Sequence, residues 1–170
     1  MNLAPQISLH GTLSNLDDGF RGTMQTIATM RQLVTRYRVD PSIRQAAVSV
    51  LFLTPEREGF SRPIALYEWV RDHVRYVPDV LDVETITTPD KVLQTLVGDC
   101  DDQSLLLATL YESVGYPTRF VVTGYTYADH FEHVFLQVCV DGEWLDVDPT
   151  EREGFGRAAP GETVRFIEGA

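Results

Sequence analysis

The apolar residues of this chain change their period once, near Gly115 and Pro117, and that switch narrows the folds open to it. Before the switch they recur at helical spacing. Met24, Ile27, Met30, Leu33, Val34 and Tyr37 predict a helix over about 23–37. Asp40 as cap and Pro41 at the first helical position open a second, with Ile43, Ala46, Ala47, Val50 and Leu51 on one face. A third, roughly 62–74, follows Ser61 and carries Ile64, Tyr67, Val70 and Val74. After the connection "YVPDVLDVETIT", Thr88-Pro89 opens a short helix that Gly98 is expected to close. The helix from Cys100 to about Ser113 is apolar around nearly its whole circumference, so it belongs at the centre. Beyond Pro117 the period is two: "RFVVTGYTY", "HVFLQVCV" and "EWLDVD" read as strands, with one more over about 163–167. Helices followed by strands predict an α+β layer fold, in which N-terminal helices and the central Cys100 helix pack on an antiparallel sheet. Residues 1–20 read as an N-terminal arm and 21–170 as one domain, with its core in 61–150.

The dipeptide Asp141-Gly142 between two strand-like runs predicts a two-residue hairpin, and the hairpin fixes a register. Val140 then faces Glu143, and Phe135 faces Asp148. His133 shares the face of Phe135 and lies diagonally from Asp148, within reach of an imidazole–carboxylate hydrogen bond. The opposite face carries Val134, Leu136, Val138, Leu145 and Val147. Singly, His133 can be a half-buried histidine and Asp148 a turn former before Pro149. Together with Cys100 they make a catalytic set.

Cys100 stands at about the first position of its helix, behind Asp99 as cap, where free N–H groups and the helix dipole favour a thiolate. Asp99, Asp101 and Asp102 suit a first helical turn. They also oppose a thiolate, so the arrangement makes sense if a cationic imidazole, supplied by His133, sits on the sulfur side. A Cys–His pair oriented by a third polar group is the pattern of an activated nucleophile.

The motif G-D-C-D-D at 98–102, "SVGYPTRFV" after its helix, "HVFLQV" and "WLDVDPT" resemble the transglutaminase-like superfamily, over about 64–150. The resemblance implies a papain-like cysteine protease fold with Cys100 as nucleophile, His133 as general base and acid, and Asp148 orienting His133. It implies acyl transfer through a thioester on a protein or peptide substrate, with a protease or amidase favoured over a cross-linking enzyme. An oxyanion hole would take the Cys100 N–H and one donor from 69–78, such as Trp69 or Tyr76, although burial statistics favour a core role for both aromatics. "GTMQTIATMRQLV", "DPSIRQAAVSV" and "VRDHVRYVPD" are similar to transglutaminase-like proteins of bacteriophages and prophages. That implies a phage structural partner as a further expectation.

Composition removes other classes. With a net charge of −11 and a single lysine, Lys91, among 14 basic residues, the chain has no basic stripe for nucleic acid or anionic membrane. No apolar run is long enough to span a membrane, and the start lacks the pattern of a signal peptide. Two cysteines make no disulfide framework. The expectation is a soluble protein of a reducing compartment, cytoplasmic or virion-associated. No cofactor is expected, and with no D-x-D-x-D-G loop no calcium dependence either. Two rivals stand beside the enzyme: a catalytically silent binding or assembly module, and a metal site of Cys100, Cys139, His130 and His133. The latter's spacing fits no familiar zinc pattern.

Overall fold

The computed structural model describes residues 19–54, 60–79, 85–126, 131–157, 162 and 164–169. Three helices come first: α1 (Phe20–Tyr37), α2 (Pro41–Leu53) and α3 (Ser61–His73). The helical period of 23–37 is thus extended by one turn at its start. Asp40 caps α2 as expected, its carboxylate accepting from Ser42 N at 2.8 Å. The predicted arm at 1–20 lies almost wholly outside the described residues.

A two-residue strand β1 (Arg75–Tyr76) follows α3, and α4 (Pro89–Thr95) leads into β2 (Val97–Gly98). β1 and β2 pair in parallel, Tyr76 opposite Gly98, with Arg75 N donating to Leu96 O and Val77 N to Gly98 O. The segment between them is pinched at its base. Asp79 accepts from Thr85 N at 2.6 Å and from Thr85 Oγ1 at 2.5 Å. Here one expectation fails. Gly98 does not close α4; Leu96 does, in the left-handed conformation with φ 54°. Gly98 is needed for space, since a Cβ there would stand 2.5 Å from the Cβ of Asp102.

α5 (Cys100–Ser113) runs through the middle, between the other helices and the sheet. Leu105, Leu106, Leu107 and Leu110 are fully buried, each contributing about 1.5–3 kcal/mol of hydrophobic stabilisation. This all-round burial is what its unbroken apolar circumference requires. Tyr111 is also fully buried and donates its hydroxyl proton to Pro63 O, tying α5 to α3.

The sheet contains β3 (Thr118–Gly124), β4 (His133–Val140), β5 (Glu143–Val147) and β6 (Val164–Ile167), in the order β5-β4-β3-β6, all antiparallel. Asp141 and Gly142 both take positive φ, 52° and 88°, as a two-residue turn that follows the strand twist requires. Val140 pairs with Glu143 and Leu136 with Val147, which is the predicted register. Val134, Leu136, Val138 and Val140 face α5 and the core. The other face carries a polar ladder in which Gln137 bridges Arg119 at 2.7 Å and Asp146 at 2.7 Å. The observed architecture is the expected α+β fold. No helix among the described residues is long and apolar enough to cross a membrane.

Candidate active site

Three elements converge at one end of the sheet: the N-terminus of α5, the first residue of β4 and the residue following β5. They bring Cys100, His133 and Asp148 together. His133 Nε2 lies 2.6 Å from Asp148 Oδ2. Cys100 lies close enough to the same imidazole to shift its proton affinity. Burial alone would lower the pKa of His133. The bond to Asp148 and the neighbouring Cys100, with the charges of both, outweigh burial and push it up to about 10. Phe135, fully buried, stacks on the imidazole at 6.0 Å and has the Arg165 guanidinium 5.2 Å from its centroid. The ring is thus held by a bond at its tip and a contact on its face.

Asp148 is 1 % exposed, yet both of its oxygens are satisfied. Oδ2 serves His133; Oδ1 accepts from Thr150 N at 2.9 Å and Thr150 Oγ1 at 2.7 Å. The Asp-Pro turn visible in the sequence therefore has a second use, because it folds Thr150 back to anchor the carboxylate. Behind it, Asp148 N donates to Gly154 O at 2.8 Å. Tyr67 on α3 binds the same loop, its hydroxyl donating to Glu151 O and accepting from Gly154 N at 2.9 Å. Gly154 has to be glycine, since a Cβ there would run into the carbonyl oxygen of Asp148. Sequence reasoning found Asp148 and missed Tyr67, Thr150 and Gly154. Only Thr150 had a local signal, as the third residue of Asp-Pro-Thr.

Asp99, Asp101 and Asp102 occupy the other side of Cys100, between 5 % and 8 % exposed. Asp99 caps α5, accepting from Asp102 N at 3.4 Å. Asp102 Oδ1 accepts from Thr87 N at 2.6 Å. Burial pushes the Asp102 carboxyl up to about 7, with the Asp99 charge adding and the Thr87 bond opposing. Burial, reinforced by neighbouring Asp99, raises Asp101 well above the ordinary carboxyl range. The sequence reads these residues as first-turn carboxylates; the structure keeps them at the start of the helix and shows that all three are buried.

Two hollows meet over the site. One of about 330 Å³ is lined by Tyr76, Tyr125, His133, Asp148, Thr150 and Glu151. The other, about 350 Å³, continues past Tyr76 and Thr150 to Gln103, Arg71 and Arg75. Burial raises the Tyr76 phenol, and the charges of Cys100, Asp99, Asp101 and Asp148 raise it further, so it remains a proton donor near the thiol. Trp69, the other aromatic considered, stacks on His73 at 5.0 Å. Cys139 pairs with Trp144 near the hairpin turn, six residues along β4 from His133 and so about 20 Å away, too far to share a metal with it. His130, the remaining ligand of that rival reading, lies outside the described residues.

Residues 46–149 match the family model described as the transglutaminase-like superfamily. The chain belongs to that superfamily. No curated protein matches it. Among solved structures, the transglutaminase-like chain is similar to a protein from Cytophaga hutchinsonii described as a candidate cysteine protease. The identity is 21% and the TM-score 0.55, over 84% of this chain and 52% of that one. It is also similar to a candidate protease from Parabacteroides distasonis, at 13% identity and TM-score 0.59, over 79% of this chain and 26% of that one. At such identities the likeness concerns the fold. This transglutaminase-like chain spans about half the length of the first structure and a quarter of the second.

Proposed function

We propose that this chain is a thiol-dependent amide hydrolase or acyltransferase, a protease or amidase before a cross-linking enzyme, acting on protein or peptide substrates. One observation carries the reading: a single imidazole is bonded to a buried, fully anchored carboxylate and lies beside a thiol at a helix N-terminus. Cys100 is the nucleophile, His133 the base and acid, and Asp148 the residue that fixes the ring. The thiolate attacks the amide carbonyl, forming the C–S bond. As the C–N bond breaks, protonated His133 gives its proton to the departing amine. Water, or a second amine, then adds to the thioester and releases Cys100. The Cys100 N–H and the Tyr76 hydroxyl are the donors for the oxyanion.

Alkylation tests the reading without a known substrate. Cys100 and Cys139 are both half-buried, so access alone gives neither a large advantage. Limited iodoacetamide at about pH 6, read by peptide mass spectrometry, should label Cys100 well before Cys139, because a thiolate reacts and a thiol does not. His133→Ala should suppress that labelling in a protein that still unfolds cooperatively. Equal labelling of the two cysteines, or no effect of His133→Ala, would leave a non-catalytic binding module of a larger particle as the better account.

A further inference from the structure

Three carboxylates packed together beside a nucleophile are expensive unless something holds them. The N-terminus of α5 explains Asp99, whose oxygen caps the helix. It does not explain the other two. One carboxylate oxygen from each of Asp99, Asp101 and Asp102 lies within 4.8 Å of the other two, the spread of oxygens around a single ion. Asp101 is 6 % exposed, and its Oδ2 is buried with no hydrogen-bond donor. The group it meets is Asp99, another carboxylate, so without an ion the two can be satisfied only by a proton held between them, which a cation bound there would replace. Asp102 spends Oδ1 on Thr87 N, while its Oδ2 lies over Gly98, 3.1 Å from where a Cβ would stand.

We infer that Asp99, Asp101 and Asp102 form a binding site for a hard divalent cation, of which calcium is the best fit. The converging atoms are all carboxylate oxygens, which suits calcium or magnesium rather than zinc or copper. Calcium accepts irregular geometry and completes its shell with carbonyls and water, whereas magnesium demands a near-octahedral cage that one short segment cannot supply. The absence of an EF-hand loop excludes only one kind of calcium site. The ion would give Asp101 Oδ2 its missing partner and neutralise the carboxylates that oppose a thiolate at Cys100. It would also fasten β2 to the first turn of α5.

The test needs no turnover, so it stands apart from the proposed chemistry. The 170-residue chain, stripped with EDTA, is titrated with CaCl2 by calorimetry and by competition against tyrosine-sensitised Tb3+ emission. One saturable calcium site is expected, with a higher unfolding temperature in calcium than in EDTA. Asp101→Asn should weaken binding by about tenfold or more. Glu153→Gln, which alters an exposed acid paired with Arg157, should leave binding unchanged. If Asp101→Asn does not fold, Asp102→Asn carries the same expectation, and the wild-type titration decides by itself. No saturable site for Ca2+, Mg2+ or Mn2+ tighter than about 1 mM overturns the inference. Undiminished binding to a folded Asp101→Asn overturns it too.

Discussion

Cys100 stands between two sets of buried carboxylates that are equally hidden from water and differently provided for. Asp148 is 1 % exposed and has a partner at every turn: His133 on one oxygen, and the Thr150 N–H and hydroxyl on the other. Asp101 is 6 % exposed, and one of its oxygens has no partner at all. Burial therefore does not decide what a carboxylate does here; the donors around it do. A loop that folds back on itself can surround a carboxylate with N–H groups. A first helical turn with three acids in four residues supplies too few.

The sharpest way to break this contrast is Asp148→Asn. The amide keeps the shape but cannot hold the same imidazole tautomer, so kcat/KM on a turnover substrate should fall by about 10⁴ in a protein that still unfolds cooperatively. Full activity in that variant would remove Asp148 from its role. A smaller effect compares the glycines that admit each carboxylate. Gly154→Ala meets a backbone carbonyl, that of Asp148, whereas Gly98→Ala meets a side chain, that of Asp102. Both should destabilise by about 1–3 kcal/mol in urea unfolding, with Gly154→Ala the worse because backbone yields less. Equal losses would mean that the two sides are equally rigid.

A third effect concerns pH. His133 holds its proton more tightly in the folded protein, with a pKa of about 10 against 6.5 for the free group. Its contribution to stability is complete below about pH 6.5 and is lost as pH rises through about 10. Unfolding followed across that window should show a falling stability that His133→Ala flattens. An unchanged slope in the variant would assign the loss to other groups.

The sequence foretold one side of the contrast far better than the other. Asp141-Gly142 is a turn with few alternatives, so it settled the hairpin register, and with it the meeting of His133 and Asp148. The period of two then separated the polar face from Val134, Leu136 and Val138. Asp101 and Asp102 gave no comparable sign, because acids in a first helical turn look the same whether exposed or covered. Gly98 was misread for a related reason. A glycine after a short helix reads as a stop, and only the backbone shows that Leu96 had already ended α4. The pair β1–β2 has two residues per strand, too few for any period to register.

That pair has a consequence for how the chain can change. Tyr76 and Gly98 are fastened to each other, and Cys100 follows two residues later, so both sides of the cleft rim are set without reference to what connects them. The connection is itself closed at Asp79 and Thr85. Lengthening a loop beyond a closed neck costs only about 0.6 kcal/mol for each doubling. The residues around the thiol are thus placed by contacts that lie outside the stretch between Asp79 and Thr85.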